Sequence, residues 1–282
     1  MKGTIHNQFL TRAGEAARSL SSRGAANPRT AVVLGSGLAG AITVPSPGLI
    51  ARFDEIPGFP KTSVSGHPGR MIFGKLLGSE ILVVEGRFHL YEERGLESAM
   101  LMASFLKEMR VEDLVLTTAA GALAPHLKVG DFVVIRGHLV YPLGGRAPGM
   151  GRILSDTGLV GGGEIYAPEI AAGLESACLD AGVRFQRGML AFSEGPCYET
   201  AAEARLLRRA GADVVSMSAA ADAVAAHCLG LRVGCLCCVT NRVGMWRGAH
   251  ADHGDVLRAS GLARSRVGAA VKEYLSSAVR EG

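Results

Sequence analysis

Thr30-Ala31-Val32-Val33-Leu34-Gly35-Ser36-Gly37-Leu38-Ala39-Gly40, followed by Ala41-Ile42-Thr43-Val44-Pro45-Ser46-Pro47-Gly48, decides between two kinds of α/β protein. An apolar strand runs into Gly-x-Gly-x-x-Gly, and Asp54 lies about 20 residues beyond the first glycine, as a dinucleotide-binding fingerprint asks. That fingerprint also requires a helix to open within the glycines. Two prolines and a glycine in the following segment forbid one. We therefore reject the Rossmann reading and keep the glycine loop as a phosphate cradle. Backbone N–H groups and the Ser36 hydroxyl can converge on an anion without a following helix. A plain tight turn is the alternative for this motif taken alone.

Outward from this strand the chain alternates between helical and extended patterns. Ile5 to Leu20, Leu96 to Met109, Tyr166 to Ala181, Ala201 to Ala210 and Asp255 to Val279 have helical periodicity. Asp113 to Leu116, Asp131 to Ile135, Gly188 to Ala191, Ala212 to Val215 and Leu231 to Val239 read as short buried strands. Met71 to Phe73 and Ile81 to Val84 make a hairpin around Gly78, which adds antiparallel pairing and predicts a mixed sheet. Tyr141 to Gly163 is rich in glycine and reads as a long loop. Neither a repeat nor a linker divides the chain, so residues 1–282 are expected to form a single domain.

The second decisive stretch is Ser193-Glu194-Gly195-Pro196-Cys197-Tyr198-Glu199-Thr200, followed by Met217-Ser218 and Thr240-Asn241. A Gly-Pro turn presents Tyr198 and Glu199 from a loop, and Asn241 stands at a strand end, where α/β sheets keep their ligands. An aromatic face, an acceptor and an amide together suit a purine base. In Glu85-Gly86-Arg87-Phe88-His89-Leu90-Tyr91, an extended chain would put Arg87, His89 and Tyr91 on one face, opposite buried Phe88 and Leu90. A guanidinium, an imidazole and a phenol suit an oxyanion with a hydroxylated ligand beside it. Ser65-Gly66-His67-Pro68-Gly69-Arg70 carries a titratable histidine on a turn, and Thr117 to Ala122 is a run of small residues that lets a ligand approach the backbone.

Composition narrows the classes. The 282 residues are 48% apolar with 38 glycines, which indicates a buried core with many tight turns. A net charge of +4, with scattered basic residues, gives no support for a nucleic-acid protein. Six cysteines, of which Cys235, Cys237 and Cys238 fall within one apolar strand, argue for buried thiols in a reducing compartment and against a zinc site. Neither a secretory h-region nor an apolar run of ~18 residues is found, so a soluble cytoplasmic protein with no membrane role is expected.

Gly-Ser-Gly-Leu, Gly-His-x-Gly-Arg, Gly-Arg-Phe-His-x-Tyr-Glu, Ala-Ala-Gly, Gly-Pro-x-Tyr-Glu-Thr, Met-Ser, Thr-Asn and a late Asp-His occur in that order from Ser36 to the last helix. Together they resemble the trimeric purine nucleoside phosphorylases. The resemblance implies a single α/β domain with a central mixed β-sheet, partly barrel-like and flanked by helices, assembled as a homotrimer. It implies that Ser36, His67, Arg87, His89, the Ala119 backbone and Ser218 hold phosphate. It assigns Tyr91, Met217 and His253 to the ribose, and Tyr198, Glu199, Thr240 and Asn241 to the base.

The implied reaction is phosphorolysis of a purine nucleoside to free base and ribose 1-phosphate, with Asn241, His89 and Glu199 as catalytic groups and neither a metal nor an organic cofactor. A carboxamide at position 241 favours inosine and guanosine over adenosine. The chain departs from the family where Thr118 replaces an asparagine, Gly121 to Pro125 replaces a more glycine-rich loop, and Ala219-Ala220-Ala221-Asp222 replaces a Thr-Val-Pro-Glu run. A Gly161-Gly162-Gly163 run stands near where a neighbouring subunit's aromatic is expected. Two rivals follow on the same fold, a methylthioadenosine or methylthioinosine phosphorylase and a non-catalytic purine sensor. A nicotinamide dehydrogenase is a third.

Overall fold

The computed structural model of the chain describes residues 4–61, 68–92, 95–140, 164–244 and 253–280. Among these residues nine strands are interleaved with six α-helices. The strands are β1 (Thr30–Leu34), β2 (Ser46–Arg52), β3 (Arg70–Leu76), β4 (Ser79–Glu85), β5 (Asp113–Ala122), β6 (Phe132–Val140), β7 (Phe185–Phe192), β8 (Val214–Ser216) and β9 (Arg232–Arg242). The helices are α1 (Thr4–Ser22), α2 (Gly95–Glu108), α3 (Pro168–Asp180), α4 (Ala201–Arg209), α5 (Ala219–Cys228) and α6 (His253–Arg280).

The strand order is β2-β3-β4-β1-β5-β8-β7-β6-β9, and β9 also pairs with β5. Strands β5, β8, β7, β6 and β9 therefore close on themselves, while β1, β4, β3 and β2 extend from β5 as an open wing. The sheet is mixed, as expected. The β1–β4, β1–β5 and β5–β9 pairs are parallel, whereas β3–β4, β5–β8 and β6–β9 are antiparallel.

Alternation along each strand sorts its side chains between two helical layers. Ala31 and Val33 of β1 join the core that contains Leu20 of α1, Phe105 of α2 and Val224 of α5. Val32 and Leu34 face the other way and pack with Ile170 and Leu174 of α3 and Val267 and Val271 of α6. The near-continuous apolar reading of β1 is thus the mark of a strand covered on both faces.

Four elements differ from their sequence reading. The proline-containing segment after the glycine loop forms no helix, as the rejection of the Rossmann pattern required, but it does form edge strand β2. Its register shifts between Pro47 and Leu49, where a ladder can tolerate a residue without an N–H. Strand β5 runs on through the small residues to Ala122. Helix α5 was not anticipated, because seven of its ten residues are buried and an all-round apolar segment carries no helical stripe. The chain from Gly86 to Tyr91 is not extended, since β4 ends at Glu85 and Gly86 turns at a φ of 121°. The expected loop at Tyr141–Gly163 and the His67 turn lie outside the described residues.

Glu85 ties the wing to the glycine loop. It is 1% exposed, its Oε1 accepts from the Gly40 N–H at 2.7 Å, and its Oε2 accepts from Arg70 Nε at 2.6 Å. Replacing Glu85 with Ala is expected to lower unfolding free energy by about 1–2 kcal/mol, because the Gly40 N–H and Arg70 lose the buried carboxylate that joins them. Urea denaturation of the variant and the unmodified protein measures this.

Candidate active site

The site lies along one edge of β5. Strand β1 pairs with β5 only as far as Leu116, and β8 takes up the ladder at Gly121. Thr117 to Ala120 are left without a strand on that edge, and side chains and turns fill the gap.

The glycine loop enters first. A Cβ on Gly35 would stand 2.8 Å from the Thr117 carbonyl oxygen, so only glycine lets β1 leave the sheet so close to β5. Thr117 Oγ1 donates to the Val33 carbonyl at 3.1 Å and accepts from the Gly35 N–H at 3.3 Å. Gly37, at a φ of +74°, sits against Leu257 and Ser260 of α6. These contacts hold Ser36 at the mouth of the cleft.

Arg87 comes next. It is 3% exposed, its Nη2 donates to the Thr117 carbonyl at 2.6 Å, and its Nη1 donates to Ser218 Oγ at 2.9 Å. Asp222 of α5 lies 3.5 Å from Nη1 and supplies a counter-charge. Burial raises the Asp222 pKa, and Arg87 and His89 oppose that shift. Ser218 caps no backbone N–H of α5, so its hydroxyl belongs to the site. The N-terminus of α5 also brings its partial positive charge to this end of the cleft.

His89 is oriented by Glu92. One carboxylate oxygen receives the His89 N–H at 2.7 Å and lies 3.1 Å from its Nδ1. The imidazole stacks on Tyr91, with centroids 4.9 Å apart and planes 15° from parallel. Burial pushes the Tyr91 pKa up to about 12, so its hydroxyl remains a donor at neutral pH. The irregular turn thus achieves the grouping that an extended strand was expected to give.

At the far end stand the groups suited to a base. Gly195 has a φ of +72°, and a Cβ there would lie 2.6 Å from Met217 Sδ and 2.7 Å from Tyr91 Cδ1. The loop after it is anchored by a capping box at α4. Thr200 Oγ1 accepts from the Glu203 N–H at 3.2 Å, and the Glu203 carboxylate accepts from the Thr200 N–H at 2.6 Å. Tyr198 is 45% exposed above the cleft. Glu199 Oε1 is buried without a hydrogen-bond partner among the described residues, and burial raises its pKa. Thr240 Oγ1 donates to Asn241 Oδ1 at 3.0 Å, which assigns the amide so that Nδ2 is the group left to donate.

The resulting cleft, about 90 Å³, brings together Ser36, His89, Tyr91, Ala119, Tyr198, Glu199, Met217, Ser218, Thr240, Asn241 and His253. Arg87 stands directly behind Ser218, and His67 lies outside the described residues. Sequence reasoning did not assign Ser216 or Val215, which line the cleft from β8, nor Thr118 as a lining group. A hydroxyl directly after an apolar strand was the available signal for Ser216.

A larger cleft of about 470 Å³ lies at the other ends of β1, β4, β5 and β9, but its charged groups neutralise one another. Arg232 pairs there with Asp113 and Glu169. Hydroxyl, imidazole, carboxylate and carboxamide groups converge in the smaller cleft, and that is where chemistry is placed. Among the described residues no group of three or more His, Cys, Asp or Glu could hold a metal ion. No helix among them is long and apolar enough to cross a membrane.

An end suited to an anion joined to groups suited to a base, on a mixed and partly closed sheet, fits the class of a nucleoside-handling phosphorylase. The family model of the phosphorylase superfamily matches residues 29–276. The chain belongs to that superfamily, among the purine nucleoside phosphorylases. It is 34% identical over 260 residues to purine nucleoside phosphorylase of Bos taurus, covering 90% of each chain. It is 30% identical over 233 residues to purine nucleoside phosphorylase 1 of Bacillus subtilis, covering 82% of this chain and 85% of the relative. Among solved structures, a schistosome purine nucleoside phosphorylase in complex with hypoxanthine superposes with a TM-score of 0.81 at 28% identity, covering 94% of this chain and 96% of that one.

The buried Glu199 carboxylate has a testable consequence. Its folded-state pKa lies above its unfolded value, so its ionisation opposes folding above the folded pKa, and this penalty disappears below the unfolded pKa. Glu199→Gln is expected to raise Tm at pH 8, with the gap closing as the pH falls to the ordinary carboxylate range near ~4. Thermal melts across pH measure it.

Proposed function

We propose that the protein cleaves 6-oxopurine nucleosides by phosphorolysis, giving free base and ribose 1-phosphate, and that it does so without a metal or organic cofactor. The observation that carries this reading is one cleft with an anion kit at one end and a Glu–Asn pair at the other. Arg87, Ser218, Ser36 and His89 form the first end, and Glu199 and Asn241 form the second. The relatives' names and a similar solved structure with guanosine bound, at a TM-score of 0.81, support it.

Phosphate arrives already anionic, so the site must place it and not deprotonate it. Arg87, through Ser218, and His89 hold it below C1′ as the glycosidic bond lengthens. The sugar becomes cationic in an oxocarbenium-like transition state, and the bound anion stabilises that charge. Tyr91, Met217 and His253 line the ribose, and Tyr198 covers ribose and base. Glu199 accepts from the base N1–H. Electron density moves from the breaking bond onto the purine, and Asn241 Nδ2 donates to O6 and N7 as that charge develops. The family likeness assigns His67 to the phosphate as well.

The family likeness supports a homotrimer and a single domain spanning residues 1–282. A soluble, cytoplasmic setting fits the cysteine content. Small-molecule substrates account for the site, and neither nucleic acid nor membrane is involved.

Release of free base from inosine, guanosine, adenosine and methylthioadenosine, each with and without phosphate, tests the reading. Phosphate-dependent cleavage of inosine and guanosine is expected. Cleavage chiefly of adenosine compounds would overturn the base assignment, and purine binding without cleavage of any would leave a sensor. Asn241→Ala is expected to lower kcat on inosine about 10²–10³-fold, as for the loss of a donor aimed at developing charge.

A further inference from the structure

We infer that Thr118 and Ser216 are positioning residues for phosphate, acting through the hydroxyl of Ser218. The inference rests on the phosphorolysis reading above and concerns the same site. Thr118, Ser216 and Ser218 are 3%, 7% and 7% exposed, and all three line the cleft. Thr118 Oγ1 lies 3.1 Å from Ser216 Oγ and 3.3 Å from Ser218 Oγ, and the two serine oxygens are 3.5 Å apart. These are three buried hydroxyls in mutual contact, beside one buried guanidinium.

Counting protons gives the cluster a direction. Each hydroxyl has one hydrogen to donate and two lone pairs to accept with. Arg87 Nη1 already occupies one lone pair of Ser218. When Thr118 donates to the other, Ser218 can accept nothing more, and its single hydrogen is left to point at an anion in the cleft. Ser216 donates to Thr118 in turn, so the chain runs Ser216 to Thr118 to Ser218 to phosphate.

The carbonyl of Ala119, 3.1 Å from Thr118 Oγ1, competes for the Thr118 proton. An arriving phosphate dianion tips that competition, because each bond in the aligned chain polarises the next. Two neutral residues that do not themselves hold the anion thereby set how well Ser218 does.

The experiment is steady-state kinetics with inosine and inorganic phosphate, together with calorimetric titration of inorganic phosphate alone. Thr118→Val keeps the shape and removes the hydroxyl. It is expected to raise the KM for phosphate about 10-fold and weaken phosphate binding in parallel. The KM for inosine and the kcat at saturating phosphate should stay within about 3-fold. Thr118→Ser restores the donor and should restore phosphate KM. Ser216→Ala should have a smaller effect that is non-additive with Thr118→Val.

An unchanged phosphate KM in Thr118→Val overturns the inference, as does a rise confined to the KM for inosine. Thr118→Ser as impaired as Thr118→Val would also overturn it, because it would make the residue a packing element. These outcomes leave phosphorolysis by the unmodified protein intact. Failure of the unmodified protein to cleave with phosphate would remove the functional reading itself.

Discussion

The open edge of β5 is the constraint on which the rest of the structure depends. A backbone strand in a protein interior must have its polar groups satisfied. Along Thr117 to Ala120 neither β1 nor β8 is present on that edge. The Thr117 carbonyl is met by Arg87, and the Ala119 carbonyl faces Thr118 Oγ1. The gap that would weaken an ordinary sheet draws a guanidinium and a hydroxyl to one place. It lies where two strands diverge, and α/β sheets hold ligands at such points because backbone and helix termini are exposed there together.

Electrostatics then decides what the gap can hold. Arg87 is buried and Asp222 is beside it, so the pair is close to neutral before any ligand arrives. The Asp222 carboxylate is itself strained by burial. An incoming anion therefore meets oriented donors and not a bare excess of charge. Fixed donors need no reorganisation when charge develops, which is the property an electrostatic catalyst requires. The opposite end follows the same logic with the sign reversed. Glu199 is an acceptor held out of water, and its raised pKa records the cost of keeping it there.

Much of this was legible in the sequence, and the exceptions have physical causes. The hairpin around Gly78, the strand before Gly35 and the long final helix follow from local pattern and turn chemistry. The two prolines after the glycine loop correctly excluded a dinucleotide fold, although they also hid edge strand β2. Helix α5 was invisible because Ala219 to Ala226 is buried on nearly every side. Arg87, His89 and Tyr91 do converge, but through a turn at Gly86 and a stack on Tyr91, and not through strand alternation. Ser216 offered only a hydroxyl after an apolar run, because its importance comes from Thr118, 98 positions away in the chain.

Strand β5 also has a metric consequence. Thr117 touches the anion end through Arg87, and Gly121 is in register with Asn241 at the base end. Four residues of extended backbone separate them, about 13 Å at the usual rise per residue. Covalent geometry makes that length inextensible, even with the register shift to β9 between Ala120 and Gly121, so the strand spaces the two ends of the cleft like a ruler. Under the phosphorolysis reading, change in specificity then comes from side chains at either end of that length, because the main chain between them fixes how far apart the two ends stand.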